Sequence, residues 1–352
     1  MVRPNPPKLG GPWRITFETN PDLCNLHCRM CEIHSRYRKH AGSASRIMPI
    51  STVKRVIASA LPFGLREIIP STMGEPLLYP HFLELLGVVS ENALKINLTT
   101  NGTFPRLGAR KWAEKILPFA SDTKVSVNGA TAGTAESIME GLDFKQQVAN
   151  LEQYIAVKNE IARSGRASPT VTVQVTFMDS NFTELPDLLE LAVDLGVDRF
   201  KGHHVWVTWP EIEEESLKRS EDQIEAWNSM VDTLHAIAAG RPGPDGTRIR
   251  LENIHKLSPS VGTVHETADF SSVCPFIGKE AWISWDGRFD VCCAPDPLRK
   301  TLGSFGNVLE TDFMDLWRGK RYSDLCYSAG NHTLCAQCNM KIPAMEGVRR
   351  WT

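Results

Sequence analysis

Three cysteines within eight residues have the clearest capacity for chemistry: Cys24, Cys28 and Cys31, in the run Asp22-Leu23-Cys24-Asn25-Leu26-His27-Cys28-Arg29-Met30-Cys31. Thiolates at this spacing can hold three irons of a cubane and leave the fourth iron without a protein ligand, open to an exogenous chelator. Zinc is the alternative, and it asks for a fourth ligand that His27 or His34 would have to supply. Six further cysteines stand near the C-terminus: Cys274, Cys292, Cys293, Cys326, Cys335 and Cys338. Cys335-Ala336-Gln337-Cys338 is a chelating pair, and a β-hairpin over 282–291, turning on Asp286-Gly287, carries Cys292 back toward Cys274. Those four suit a second, closed site holding an iron–sulfur cluster or a structural zinc. Cys293 and Cys326 are left over, either as buried small side chains or as a ligand or a thiol hydrogen-atom donor.

The bulk numbers bound the setting for these thiols. The chain has 352 residues, 42% hydrophobic and 23% charged, with a formal net charge of -2. That length predicts a large domain with a smaller appendage, and so even a charge supplies no global field for nucleic acid. The Pro- and Gly-rich start carries no apolar export segment, and no later run is long enough to span a membrane. A cytoplasmic location is expected, where clustered thiols are reduced and more often bind metal than pair as disulfides.

Strand-like runs at 13–18, 67–71, 95–100, 124–127, 171–177 and 199–205 alternate with amphipathic helical patterns at 51–61, 80–93, 110–117, 143–161 and 184–195. Six βα units with right-handed crossovers follow, which is an α/β fold built as a partial (βα)6 TIM-like barrel. Another helix opens at Ser220 with Gln223 three positions on, burying Ile224, Trp227, Val231 and Leu234. The breaker cluster Arg241-Pro242-Gly243-Pro244-Asp245-Gly246 then divides the chain into a core domain, 1–240, and a small C-terminal α+β domain, 241–352. The first cysteine group falls in the loop at the C-terminal end of the first strand, the face where such barrels place their chemistry. His203, His204 and Trp206, at the end of the sixth strand, are candidates to line a substrate site there; core packing of the Trp and strand capping by a His are the alternatives.

The CxxxCxxC run, with Asn-Leu after its first Cys and Met before its third, resembles the signature of the radical SAM superfamily. The resemblance implies a 4Fe-4S cluster on Cys24, Cys28 and Cys31 whose open iron is chelated by S-adenosylmethionine (SAM). Thr72-Met73-Gly74-Glu75-Pro76 resembles the family's GGEP motif, and Thr99-Thr100-Asn101-Gly102 and Ser126-Val127-Asn128-Gly129 match its later strand ends. By that resemblance Gly74, Glu75, Pro76, Thr100, Asn101, Ser126 and Asn128 bind SAM, with Glu75 at its amino group. The family's Arg after the fourth strand is replaced here, since Met139 or Glu140 occupies its place; a cation of the Arg36 to Arg38 stretch is the substitute candidate. Cys274-x17-Cys292, with Gly287 five positions before the second Cys, followed by CxxC, is similar to the SPASM/Twitch iron–sulfur extension, and implies one auxiliary 4Fe-4S cluster on Cys274, Cys292, Cys335 and Cys338. No cysteine follows Cys338, as the full SPASM pattern would require.

The implied activity is reductive cleavage of SAM to a 5'-deoxyadenosyl radical and hydrogen abstraction from substrate, with the second cluster suited to a net two-electron oxidation. A dehydrogenase of a small polar, sugar- or cyclitol-like metabolite is expected, fed by an external flavodoxin or ferredoxin. Epimerisation or peptide modification with Cys293 or Cys326 as hydrogen donor, and a non-catalytic zinc or iron–sulfur protein, are the competing expectations. The 23 residues before Cys24 are too few for a leader-peptide reader, which favours a small substrate over a peptide.

Overall fold

The computed structural model describes residues 10–38, 45–70, 73–257, 272–328, 332–336, 338, 340 and 342–343. Ser71 and Thr72, expected at the end of the second strand and the start of its loop, lie outside these, as does Gln337 of the CxxC pair.

Seven strands run parallel in chain order: β1 (Arg14–Phe17), β2 (Glu67–Pro70), β3 (Lys95–Thr100), β4 (Ala120–Ser126), β5 (Thr170–Phe177), β6 (Arg199–His204) and β7 (Arg250–Glu252). Helices fill each crossover: α1 (Ile50–Ala60), α2 (Phe82–Glu91), α3 (Ala109–Ile116), α4 (Ala132–Ile138), α5 (Phe144–Arg163), α6 (Leu185–Asp194) and α7 (Glu221–Gly240). The α5 start is capped by Asp143, which accepts from Gln146 N at 2.9 Å. Ser220 caps α7 by accepting from Gln223 N at 3.2 Å, and Ile224, Trp227, Val231 and Leu234 are its buried stripe. The partial barrel expected from the alternation is therefore present, extended by β7.

Strand parity sorts the side chains into two environments. Outward positions such as Ile15, Phe17, Ile96, Leu98, Val125, Val173 and Phe200 are buried against the helices in one apolar core. Inward positions are polar: Arg14 pairs with Glu67 at 2.9 Å and with Glu280 at 2.5 Å, Lys124 with Asp122 at 3.4 Å, and Arg199 with Asp122 at 3.5 Å. This lumen explains why β4 begins at Ala120 rather than near Lys124. Ser121 and Asp122 line the lumen, so the first half of the strand carries polar residues where an apolar run is the usual sign of a strand.

The C-terminal third returns to the same sheet. After β8 (Ser272–Val273), β9 (Glu280–Ile283) pairs parallel with β1, from Arg14 against Glu280 to Phe17 against Ile283, and β10 (Phe289–Asp290) pairs antiparallel with β9. The sheet order is β10-β9-β1-β2-β3-β4-β5-β6-β7. The hairpin turns at Gly287, whose φ is +85° and where a Cβ would stand 2.5 Å from Asn307 Oδ1, so the Asp-Gly turn tolerates little else. Four short helices follow, α8 (Asp296–Arg299), α9 (Phe313–Trp317), α10 (Lys320–Ser328) and α11 (Thr333–Ala336), and β11 (Ile342–Pro343) pairs with β8. Phe289, Phe305, Phe313, Trp317 and Tyr322 pack ring on ring beneath the hairpin and fix it against the barrel.

Candidate active site

The loop after β1 carries Cys24, Cys28 and Cys31, and its backbone is pinned from two sides. His27 N donates to Glu140 O and Arg29 N to Ile138 O, each at 2.9 Å, which fastens it to the end of α4. From the other side, Glu75 N donates to Leu23 O at 2.7 Å and Asn20 Nδ2 to Glu75 O at 2.8 Å. Gly74 makes this approach feasible: its φ is +75°, and a Cβ there would lie 2.3 Å from Asn20 O and 2.8 Å from Leu23 O. The loop is thus held on the backbone of the GGEP-like turn, and the turn must be glycine to allow it.

Burial raises all three thiols, Cys24 to about 11, with further repulsion between Cys24, Cys28 and Cys31. A bound cation reverses this balance, because thiolate is the ligand form and metal binding displaces the protons. Among the described residues no three His, Cys, Asp or Glu side chains converge where a single metal ion would sit. The histidines named as a fourth zinc ligand are turned to backbone: His34 Nε2 donates to Pro21 O at 2.7 Å, and His27 Nδ1 donates to His34 O at 3.2 Å. The donor set fits an iron–sulfur cluster.

The neighbouring strand ends are tied to one another through Glu75. Its buried carboxylate accepts from Thr100 Oγ1 and Asn101 N, both at 2.8 Å, and from Leu77 N at 3.2 Å. Burial nonetheless raises it to about 7 against those hydrogen bonds. Pro76 opens the short helical turn that follows. Asn101 Nδ2 donates to Asn25 Oδ1 at 3.0 Å, and the side chain also approaches Cys24 Sγ at 3.9 Å. Ser126 is half-buried at the end of β4, its carbonyl taken by Gln147 Nε2 at 2.9 Å. Asn128 differs from the expectation of an open ligand. Its side chain is buried and accepts from Thr176 N at 2.8 Å, while its carbonyl takes Asn181 Nδ2 at 3.0 Å; it clamps the end of β4 to β5. Arg36, a candidate for the missing cation, is paired with Glu140 at 2.9 Å.

Two cavities meet inside the barrel. One, of about 420 Å3, reaches Cys31 and Met73 at one end and Trp285, Arg288 and Arg299 of the C-terminal third at the other. The second, of about 630 Å3, runs down the polar lumen and touches Cys274, Cys292, Cys335 and Cys338. His203, Trp206, Cys293 and Ala294 line both. The four cysteines of the second group therefore face one space, and Cys292, raised by burial to about 12, feels Cys338, Cys274 and Cys335 beside it. The space joining the two cysteine groups is walled by the inward face of β6.

That parity corrects one expectation. His204 follows His203 on the strand and so points the other way, out of the barrel, between Phe177 and Trp227 with ring centroids 5.6 and 4.5 Å away. It is half-buried there and lines neither cavity. His203 faces inward and stays neutral, lowered to about 4 by burial with Lys201 adding to the effect. Cys326 is likewise away from the cavities: Tyr322 Oη accepts from Gly278 N at 2.8 Å and hydrogen-bonds with Cys326, beside Cys274. Sequence reasoning missed Glu18, Arg46, Thr176, Trp285 and Arg288, all on the smaller cavity. Period-two alternation could have pointed to Thr176 along β5 and to Glu18 after Arg14 and Thr16; Arg46 and the hairpin residues Trp285 and Arg288 carry no such signal.

Comparison with known proteins matches residues 21–192 to the radical SAM superfamily and residues 274–339 to the SPASM iron–sulfur cluster-binding domain. The chain carries a radical SAM domain followed by a SPASM iron–sulfur domain. This radical SAM enzyme uses SAM and two 4Fe-4S clusters, the second in its SPASM region. It is 23% identical over 344 residues to the tungsten-containing aldehyde ferredoxin oxidoreductase cofactor-modifying protein of Pyrococcus furiosus, covering 90% of this chain and 85% of that one. It is 28% identical over 216 residues to a probable GTP 3',8-cyclase of Methanococcus maripaludis, covering 57% of this chain and 65%, under two thirds, of that relative. Its fold is that of Streptococcus suis SuiB bound to SAM, with a TM-score of 0.64, 15% identity, and coverage of 94% and 72%. The SAM-bound structure of anSMEcpe gives 0.62 at 14% identity, covering 96% and 88%. Among the described residues no helix is long and apolar enough to cross a membrane.

Proposed function

We propose that this radical SAM enzyme carries out a two-electron oxidation, a dehydrogenation, of a small polar, sugar- or cyclitol-like metabolite held between its two cysteine groups. The observation that supports it is the shared wall of His203, Trp206 and Cys293, which places one space against Cys31 on one side and against Cys274, Cys292, Cys335 and Cys338 on the other. In this reading Cys24, Cys28 and Cys31 hold the SAM-cleaving cluster, and Cys274, Cys292, Cys335 and Cys338 hold the auxiliary one. When bound, SAM and its cluster supply a 5'-deoxyadenosyl radical, and the auxiliary cluster supplies an acceptor for the electron that the substrate must still lose.

The chain's own residues bind, orient and exclude water. Gly74, Glu75, Pro76, Thr100 and Asn101 shape the backbone that receives SAM, with Ser126 at its edge and Asn128 fixing the strand that carries Ser126. Trp206 and Trp285 offer flat apolar faces to a ring, and neutral His203, which makes no hydrogen bond among the described residues, offers a nitrogen to a substrate hydroxyl. An external low-potential donor, a flavodoxin or a ferredoxin, is the partner this reading requires.

The test is anaerobic incubation of the reconstituted enzyme with SAM, dithionite and the small-metabolite fraction of its native cells, set beside the peptide fraction. The expected result is 5'-deoxyadenosine release stimulated by the small-metabolite fraction, with a matching product lighter by two hydrogens. Stimulation by peptides alone, or a product of unchanged mass, contradicts it.

A further inference from the structure

The inward columns of the strands pass from the larger cavity into the smaller one. On β1, Arg14 and Thr16 line the larger and Glu18 the smaller; on β5, Gln174 lines the larger and Thr176 the smaller. The cavities are therefore stacked along the strands, and a molecule held beside His203 extends from there past Thr16. At that level two polar groups have no partner. Thr16 and Trp282 are register partners across the β1 and β9 pairing, are 1% and 5% exposed, and line the lumen, yet neither Thr16 Oγ1 nor Trp282 Nε1 makes a hydrogen bond. Buried polar groups almost always have a hydrogen-bond partner, so this pair marks a place where an outside one fits. The charges of the lumen are the opposite case. Arg14 is matched by Glu67 and Glu280, and Lys124 by Asp122; Arg199 reaches Asp122 at 3.5 Å and Glu252 at 2.5 Å, and Lys201 closes on Glu252 as well. Every Asp, Glu, Lys and Arg described along this cavity is thus already paired. A phosphate or carboxylate finds no free cation there, and an ammonium finds no free carboxylate.

We propose that the lumen at Thr16 and Trp282 is a recognition subsite for an uncharged, hydroxyl-rich part of the substrate, which makes the substrate a neutral carbohydrate or cyclitol derivative rather than a sugar phosphate, a nucleotide or an amino sugar. The inference deepens the function proposed above and rests on its reading that the substrate lies between the two cysteine groups. A ligand hydroxyl accepts from Trp282 Nε1, which can only donate, and a hydroxyl of the same ligand exchanges a hydrogen bond with Thr16 Oγ1, which can do either. Further hydroxyls lie against the paired carboxylates and cations without disturbing their balance, while the C–H face of a ring packs on Trp206 of the shared wall. A net charge on the ligand would be buried here without a counter-charge, and that penalty sets the discrimination.

The test reads binding without turnover, by equilibrium dialysis of the oxygen-free, cluster-loaded enzyme against myo-inositol and methyl glucoside, which are neutral, and against glucose 6-phosphate and glucosamine, which are charged. The variants are Thr16→Val, which keeps the shape and removes the hydroxyl, and Trp282→Phe, which keeps an aromatic ring and removes the N–H. Wild type is expected to bind a neutral probe at least about fivefold tighter than either charged one. Both variants are expected to keep the wild-type iron content and SAM binding, and to bind the neutral probe at least about fivefold more weakly. Because the hydroxyl has no partner to lose, Thr16→Val is also expected to melt no lower than wild type when no probe is present. The proposal is overturned if no neutral probe binds, since water alone would then serve the two groups, if a charged probe binds as tightly, or if the iron-loaded variants bind the neutral probe as wild type does. Should Trp282→Phe lose iron, Thr16→Val decides alone; a Thr16→Val protein that loses iron overturns the proposal, because the hydroxyl would then serve the fold. Probe binding with the expected pattern but no product lighter by two hydrogens would remove the oxidation reading and leave the subsite standing.

Discussion

Replacing Gly74 by alanine would ask two things of the backbone at once: a positive φ that a Cβ disfavours, and room 2.3 Å from the Asn20 carbonyl where there is none. The loop carrying Cys24 must then move away from the turn that holds it. Gly74→Ala is expected to lose the N-terminal cluster, about four irons per chain, while keeping the auxiliary one; an unchanged iron count after anaerobic reconstitution contradicts this. Glu75 makes a related prediction. Glu75→Ala leaves Asn101 N and Thr100 Oγ1 without their acceptor in a buried place, at a cost of about 1–3 kcal/mol, and is expected to lower the unfolding midpoint as well as SAM affinity. Glu75→Gln retains one acceptor and is expected to recover most of the stability; equal losses for both variants would show that the carboxylate charge, not the hydrogen bonds, matters there.

At the scale of elements, β6 illustrates how one residue step separates site from core. His204 is half-buried and neutral against Phe177 and Trp227, and desolvation there holds its pKa far below the ordinary 6.5. The unfolded chain takes up a proton below about 6.5 that the native imidazole refuses, so stability is full above that pH and falls as pH drops through it, by up to about 1.4 kcal/mol per pH unit. His204→Leu is expected to flatten the change in urea midpoint between pH 7.5 and 6.0, whereas a slope identical to wild type contradicts the assignment. Which histidine faces the cavities was not legible from the pair itself, since parity depends on where the strand starts in its register. The strands and helices of the barrel were legible because their apolar faces repeat locally. The start of β4 was not, because Ser121 and Asp122 face a polar lumen, and the edge strand β7 was not, because a three-residue strand owes its place to partners such as Lys201 rather than to its own pattern; the hairpin of β9 and β10 was legible, but not that β9 pairs with β1.

For the whole molecule, the cysteine groups were readable in the sequence because the members of each lie close along the chain or are brought near one another by a hairpin. The chamber between them was not: its smaller cavity is lined by residues from Glu18 to Lys300, which only the nine-stranded sheet brings together. The aromatic packing beneath the hairpin supports that arrangement. Trp317→Ala, in its fully buried place among Phe289, Phe313 and Tyr322, is expected to cost about 3–5 kcal/mol and to loosen the second cysteine group first, seen as iron lost from the auxiliary site at a temperature where the N-terminal cluster persists. Simultaneous loss of both clusters would indicate that the two regions unfold as one. The most direct measurement of the central claim compares wild type with the variant carrying Cys24→Ala, Cys28→Ala and Cys31→Ala, both reconstituted without oxygen and given SAM and dithionite. Wild type should hold about eight irons per chain and release 5'-deoxyadenosine, and the triple variant should hold about half as many and release none; a triple variant that still cleaves SAM would contradict the account.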